Sequence, residues 1–523
     1  MAPHFSFLIM INKKEKDWFK LKRYPHIGLP LQNADRFKWI ENYVTNPSKI
    51  ATHSFLPFIH KTSKVRKFRK EYSKDDGKVL LTENKALRKS AIKKRELYYA
   101  SHLDSLIFSY YSKLISDEYD KLLKKNGLDE SILAYRTIPK NKNLTEGSNK
   151  CNIDFANDVF KYIKEYNKDE FVVIAFDIKS FFDNLDHKIL REIWAKVFGV
   201  KELSKAHFNV FKGITRFSYV DIVDIFEEFK DNILIQKRDF RGNLMPIKKG
   251  RISKIKHLKN HNAIAFCTQK EFLKVKNKLL KNTKSIKTDT GVVFKRNFGI
   301  PQGSPISSVL ANAYMIDFDK TINDYISETG IYRRYSDDMV VVCPKEEKDN
   351  IINLMNREIE QIKLEIQEPK TQIFHFRREN NNLICGQEFK KEINWHKNFM
   401  YLGFEFDGSS VLLKSASLST FYRKMKRTIK RSKHFAKKGK NKGQIFKGRV
   451  LKKYSYKGAS RKRKWVWNET ILGFEKSESY DWGNFLSYSN KAAKVMNENK
   501  INKQTKKSWN KLIKEIALKT NSK

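Results

Sequence analysis

The sequence predicts an α+β fold, on three observations. Phe171–Phe176 is an unbroken apolar run of strand length, the pattern of a strand buried on both faces. Ile331-Tyr332 and Met339–Cys343 flank Tyr335-Ser336-Asp337-Asp338. β-branched runs on either side of a short Asp-containing turn predict a β-hairpin with two adjacent carboxylates at its tip. Elsewhere apolar residues recur at three- and four-residue steps, which predicts amphipathic helices.

Taken in order, Phe5–Ile11 is a short apolar run without a basic lead-in or a small-residue cleavage pattern, so it reads as a buried strand or helix start rather than a signal peptide. Asn84 to Gly127 reads as helix, with a stripe of Leu103, Ile107, Tyr110, Leu114, Tyr119 and Leu122 and a stop at Gly127. Tyr135–Lys150 is basic and turn-rich, with Arg136, Pro139, Lys140 and Lys142. Asp154–Lys168 reads as helix, and Glu192–Phe298 is a long basic stretch of mixed signals. In Gly299-Ile300-Pro301-Gln302-Gly303-Ser304-Pro305, glycines allow close backbone approach and prolines stiffen the loop. Ser304 is placed to cap an apolar helix over Ile306–Met315. Glu347–Leu364 reads as helix, Phe399–Phe406 as a strand, and Asp407-Gly408 as a hairpin turn before Val411–Leu413. Beyond Ser415 the chain becomes dense in Lys and Arg; residues 421–464 interleave them with Tyr422, Phe435, Phe446, Tyr454 and Tyr456, and Trp465 and Trp467 adjoin. Cations track phosphates and aromatic faces stack on bases. A short helix over Trp509–Leu518 ends the pattern.

The chain has 523 residues, with 106 Lys and Arg against 58 Asp and Glu, a formal net charge of +48. Such an excess repels itself unless a polyanion screens it, and nucleic acid is the first candidate partner. A Lys-rich, Asn-rich composition also fits an AT-rich coding bias, which by itself does not deplete acids. Cys151, Cys267, Cys343 and Cys385 are scattered without a Cys-x-x-Cys pair, which excludes a zinc ribbon or disulfide framework and fits a reducing cytoplasm. His257 and His261 sit four apart among lysines and read as a solvated RNA-facing surface rather than a metal site. No apolar run reaches the roughly 18 residues of a membrane span, so no membrane partner is expected.

Two carboxylates held as close as Asp337 and Asp338 demand a proton or a cation. Asp177 stands at the C-terminal end of the apolar strand, with Asp183 and Asp186 following. If the hairpin pairs beside that strand, three carboxylates surround one small volume, the minimum equipment for two-metal phosphoryl transfer.

Strand–Asp177, then Gly-Ile-Pro-Gln-Gly-Ser-Pro, then Tyr-x-Asp-Asp resembles motifs A, B and C of reverse transcriptases, in order. Glu368-Pro369-Lys370-Thr371 resembles motif D and Tyr401-Leu402-Gly403-Phe404 motif E, the primer grip; Ala134-Tyr135-Arg136 with Asn149-Lys150 resembles the fingers region. The resemblance spans about residues 97–415. It implies a right-hand polymerase: residues 1–168 as N-terminal extension and fingers, 169–408 as palm with the basic insertion around 192–298, and 409–523 as thumb and a largely helical, basic RNA-binding region. It implies that Asp177, Asp337 and Asp338, with the Ile178 carbonyl, hold two Mg²⁺ ions. Phe182 matches the aromatic gate that excludes the 2′-hydroxyl. Gln302, Gly303 and Tyr335 would lie by the incoming nucleotide, Arg136 and Lys140 would neutralise its triphosphate, and Lys370 would protonate pyrophosphate. Tyr401, Leu402 and Gly403 would grip the primer.

Among the family's classes, no RNase H acidic set, maturase or endonuclease Cys/His pairs are evident. Asn262–Phe266 departs from the retron Asn-Ala-x-x-His element, and Gly303-Ser304-Pro305 from the motif B of diversity-generating enzymes. What remains resembles the bacterial unknown-group and abortive-infection reverse transcriptases, many of them acting in phage defence. The implied partners are a structured non-coding RNA, dNTPs and a cDNA product. Retron-like or intron-like enzymes, a terminal transferase and a non-catalytic RNA scaffold stay open, as do the primer and homo-oligomerisation.

Overall fold

The computed structural model describes residues 17–521 apart from 71–79, 83–84, 142–148, 284, 288–292, 390–391, 439–444, 446, 461–462, 469–470, 472 and 481–482. Phe5–Ile11, Lys142 and Phe446 lie outside the described residues.

A six-stranded antiparallel sheet organises the centre. Its order is Ile331–Tyr335, Asp338–Pro344, Glu170–Asp177, Gln372–Glu379, Asn382–Phe389 and Glu392–Asn394. The apolar run Phe171–Phe176 is thus an interior strand covered on both faces. Period-two alternation sorts its side chains: Val172, Ile174 and Phe176 enter one core, Phe171 and Val173 the other. The neighbouring strand splits likewise, Met339, Val341 and Cys343 against Val340 and Val342. Each such buried side chain contributes about 1.5–3 kcal/mol. A one-residue slip would exchange the two sets, so the register that aligns the strand ends is strongly specified.

The first core is completed by helices His102–Lys125, His187–Val197, Ser307–Tyr314, Ile316–Ile326 and Lys348–Gln361. The second is closed by helix Asn152–Glu165 and a small sheet of Phe399–Tyr401, Phe404–Phe406 and Val411–Leu413.

Several expectations are corrected. Helix begins only at His102, where Ser101 accepts from the Asp104 N–H at 3.2 Å. Arg88–Tyr99 is instead a strand paired along its whole length with Phe58–Lys70; its Lys- and Arg-rich sequence has no apolar stripe to bury as a helix. The buried face of the helix carries Ile107, Tyr111, Ile115, Tyr119 and Leu123, while Leu103, Tyr110, Leu114 and Leu122 are only partly covered. Phe399–Phe406 is not one strand: Leu402 (φ +43°) and Gly403 (φ +95°) fold it into a tight hairpin. Ser304 does not cap the following helix; its buried hydroxyl has no partner among the described residues, and Ser307 Oγ donates to the Pro301 carbonyl at 2.7 Å.

The basic stretch 192–298 is divided: Trp194, Val210, Phe211, Ile214 and Phe217 pack into the first core, and the part that follows has an apolar core of its own with Ile225, Phe226, Ile233, Ile252, Phe266 and Phe272. It is joined to the Phe58–Lys70 strand by parallel pairing of Phe58–His60 with Tyr219–Asp221. His257 ends a short 3₁₀ turn and His261 follows it, their rings 6.3 Å apart, and neither belongs to a group of three or more His, Cys, Asp or Glu side chains among the described residues that could hold a metal ion. The C-terminal region is largely helical around Phe421, Met425, Ile429, Val450 and Leu512, with an unforeseen strand pair, Arg463–Asn468 and Gly473–Tyr480. No described helix is long and apolar enough to cross a membrane.

Candidate active site

Tyr335 and Asp338 face each other across a two-residue turn, with Ser336 in the left-handed region at φ +64°. The turn lies at the end of the sheet where the interior strand also ends. Asp338 is directly opposite Asp177 in the register, and the Ile178 N–H donates to the Asp337 carbonyl at 3.2 Å. Asp177 and the adjacent pair Asp337-Asp338, 160 residues further along the chain, therefore share one strand end.

Crowding of like charge shows at Asp338. Its carboxyl is pushed up to about 6, by desolvation first and then by Asp337 and Asp177; Lys414 and Lys370 act in the opposite direction. The residue itself stays exposed to solvent, so neighbouring atoms crowd the group without enclosing it. Lys370 Nζ donates to Asp177 Oδ1 at 2.5 Å. This ammonium already answers part of the demand for positive charge, and the all-oxygen donor set suits a hard divalent cation.

A buried polar network fixes the turn from beneath. Arg334, fully buried on the strand leading into it, makes a two-pronged ion pair with Asp319: Nε to Oδ1 at 2.7 Å and Nη2 to Oδ2 at 2.5 Å. Its Nη1 donates to Asn312 Oδ1 at 2.9 Å and to the Ser336 carbonyl at 3.3 Å. Tyr332 Oη donates to Asp319 at 2.7 Å, and Asn312 Nδ2 to the Ala134 carbonyl at 2.8 Å. Tyr135, in the left-handed region at φ +62°, places its hydroxyl 3.1 Å from Ser336 Oγ. Arg334 and Asp319 escaped the sequence reading; each has a nearby charged residue, Arg333 and Asp317, and no local signal marks it as buried.

The Gly299–Pro305 loop is laced to the segment after Asp177. The Gly299 and Ile300 N–H groups donate to the Leu185 and Phe182 carbonyls at 2.8 and 2.9 Å. On the other side the Tyr98 N–H donates to the Gln302 carbonyl at 2.9 Å. Gly303, at φ +117°, has no space for a Cβ, which would lie 2.8 Å from the Tyr98 carbonyl oxygen. Phe182, Gln302 and Gly303 are thus gathered along one loop seam. Asp186 caps helix His187–Val197 by accepting from the Lys188 and Ile189 N–H groups at 2.8 and 3.1 Å, so it is spent on structure.

The triphosphate expectation fails for Arg136. Its guanidinium is buried, bonded to Asp120 and Asp129 at 2.6 Å each and to the Asp129 and Ile132 carbonyls. The cause is local: two acids and a helix end lie closer than any solvent-borne phosphate. Lys140 is ion-paired with Asp154 but remains partly exposed. Tyr401, expected in the primer grip, stands within reach of the Asp338 charge. Burial first, then the charge of Asp338, raises the Tyr401 hydroxyl, which has no hydrogen-bond partner among the described residues. Asn152 Nδ2 donates to the Leu402 carbonyl at 3.3 Å, and the Lys414 N–H to the Gly403 carbonyl at 3.1 Å, fixing the turn.

Residues 252–406 match the family model of the reverse transcriptase (RNA-dependent DNA polymerase). The match contains the Gly299–Pro305 loop and the Asp337-Asp338 turn; Asp177 lies outside it and reaches the turn by strand pairing. No curated protein matches. Among solved structures the chain is similar to telomerase from Candida albicans in complex with a TWJ fragment of telomeric RNA, at 12% identity and TM-score 0.34, covering 96% of this chain and 68% of that one. It is also similar to apo telomerase from Candida tropicalis, at 12% identity and TM-score 0.33, covering 76% of this chain and 56% of that one. Over residues 252–406, which hold the Gly299–Pro305 loop and the Asp337-Asp338 turn, the chain is similar to reverse transcriptases.

Proposed function

We propose that the protein makes cDNA from dNTPs on a structured non-coding RNA, using two Mg²⁺ ions, in bacterial anti-phage defence. One observation supports the chemistry above the rest: Asp338 is register-paired with Asp177, which sets three carboxylates at one strand end. Asp177, Asp337, Asp338 and the Ile178 carbonyl would hold the ions. When bound, such ions activate the attacking 3′-hydroxyl and stabilise the leaving pyrophosphate. The chain's own residues do the rest. Arg334 and Asn312 hold the turn in place. Phe182 fills the space a 2′-hydroxyl would need. Gln302 and Gly303 line the nucleotide seam with Tyr335. Lys370 stands where it can hand a proton to departing pyrophosphate. Lys140 is the remaining candidate for the triphosphate, and Tyr401, Leu402 and Gly403 for the primer end.

The phage-defence role rests on the Tyr-Leu-Gly-Phe-Glu-Phe-Asp-Gly run and the long basic C-terminal region, which resemble the unknown-group and abortive-infection enzymes. Extension of a primed RNA template with dNTPs and Mg²⁺ tests the activity. The expected product is complementary to the template; untemplated product means a terminal transferase, and RNA binding without product means a scaffold. Sequencing of RNA retained by the protein from cells tests the dedicated partner: one abundant small RNA is expected, and a random cellular mixture overturns it.

A further inference from the structure

Phe58–Lys70 and Arg88–Tyr99 form a long antiparallel ribbon rooted beside the candidate active site, where Tyr98 holds Gln302. A third strand pairs only with Phe58–His60. Beyond that point the ribbon has no sheet neighbour among the described residues. At about 3.3 Å per residue it reaches roughly 30 Å outward.

Its composition is extreme. The first strand carries six Lys or Arg and the second five, against the single acid Glu96. Directly opposed residues share a face, so both faces are basic: Lys64 and Arg66 with Lys94 on one, Lys61 with Lys93 and Arg95 on the other. All six are exposed. The register sets like charges against each other at Lys64 and Lys94. Directly opposed like charges destabilise a strand pair, and a free two-stranded ribbon is marginal to begin with. A strand pair kept apart from aggregation by charge needs only a few lysines on its edges. The described part of this ribbon presents six exposed cations against the one acid Glu96, an excess that a bound polyanion would screen.

We propose that this ribbon is an RNA-gripping arm, binding the phosphate backbone of a folded RNA at a distance from the catalytic turn. RNA is the polymer favoured because the domain at the ribbon's root matches an RNA-dependent polymerase; to that extent the proposal rests on the polymerase reading. Cations on both faces suit a backbone that passes on two sides, as in a stem or stem junction. Val65 and Ile92, both exposed, add apolar contact with sugar edges.

The test compares full-length wild type with Lys64→Gln, Arg66→Gln, Lys93→Gln and Lys94→Gln combined. The probes are a long hairpin RNA, a DNA duplex of the same length, and a primed RNA template too short to reach the ribbon. Expected are an RNA Kd raised tenfold or more near 0.1 M salt and a salt slope shallower by about 3, from the four lost phosphate contacts. DNA synthesis on the short template stays within twofold of wild type. RNA should also protect the wild-type ribbon from trypsin, a readout that needs no variant. Unchanged RNA affinity and slope, or trypsin protection by the DNA duplex but not by RNA, overturns the arm while leaving the polymerase reading intact. A wild-type protein that makes no DNA on the short template contradicts the polymerase reading instead.

Discussion

Lys370 Nζ lies 2.5 Å from Asp177 Oδ1, an ion pair made across 193 residues of sequence. The ammonium stands where a divalent cation is expected to bind, so it competes with the ion in the resting protein. In the proposed mechanism it is also the proton source for the leaving pyrophosphate. The two roles separate by substitution. Lys370→Met should lower the Mn²⁺ or Mg²⁺ concentration needed for half-saturation several-fold while reducing kcat on the order of 100-fold. Lys370→Arg keeps the charge but gives up no proton; it should leave the metal requirement near wild type and lose turnover. Metal titration followed by single-turnover kinetics checks both.

Asp338 gives a pH signature in metal-free protein. Its folded carboxyl is raised to about 6, above the unfolded value near 4. The folded state therefore binds that proton more tightly, and stability falls as pH rises from about 4 to about 6. Asp338→Asn removes the penalty. In EDTA the variant should melt above wild type at pH 7, by on the order of 1 kcal/mol or less after solvent screening, with the difference vanishing near pH 4. Saturating Mg²⁺ should raise the wild-type Tm more than that of the variant. Thermal melts at the two pH values decide it.

Arg334 and Asp319 are fully buried partners. Arg334→Met leaves an uncompensated carboxylate and should cost about 3–5 kcal/mol in urea denaturation. Combining it with Asp319→Leu should recover most of that loss. Activity should not recover in parallel, because the Arg334 bond to the Ser336 carbonyl is still missing and the turn is less well held.

The Phe182 carbonyl accepts from the Ile300 N–H, so its backbone is anchored to the Gly299–Pro305 loop. Phe182→Ala should raise the ratio of rNTP to dNTP incorporation by at least about 10-fold, since the discrimination is steric and the opened space accepts the extra oxygen. Competition assays with paired nucleotides measure it.

Much of this site was legible because its signals are local. Apolar runs mark the two strands, and a carboxylate at the end of each needs no tertiary information to be noticed. The expected pairing of Asp177 with Asp338 follows once both strands share a buried sheet. Legibility failed where distant partners decide. Arg136 looks like a free cation in sequence, yet Asp120 and Asp129 consume it. Arg88–Tyr99 carries no apolar pattern, and only pairing with Phe58–Lys70 makes it a strand. Arg334 looks like a surface residue until Asp319 is brought beneath it.

Incorporation of labelled dNTP on a primed RNA template with Mg²⁺, comparing wild type with Asp337→Asn plus Asp338→Asn, tests the central claim most directly. The account predicts templated DNA from the wild type and a loss of at least about 1000-fold in the variant, with RNA binding unchanged. Equal incorporation by the two proteins would contradict the carboxylate site.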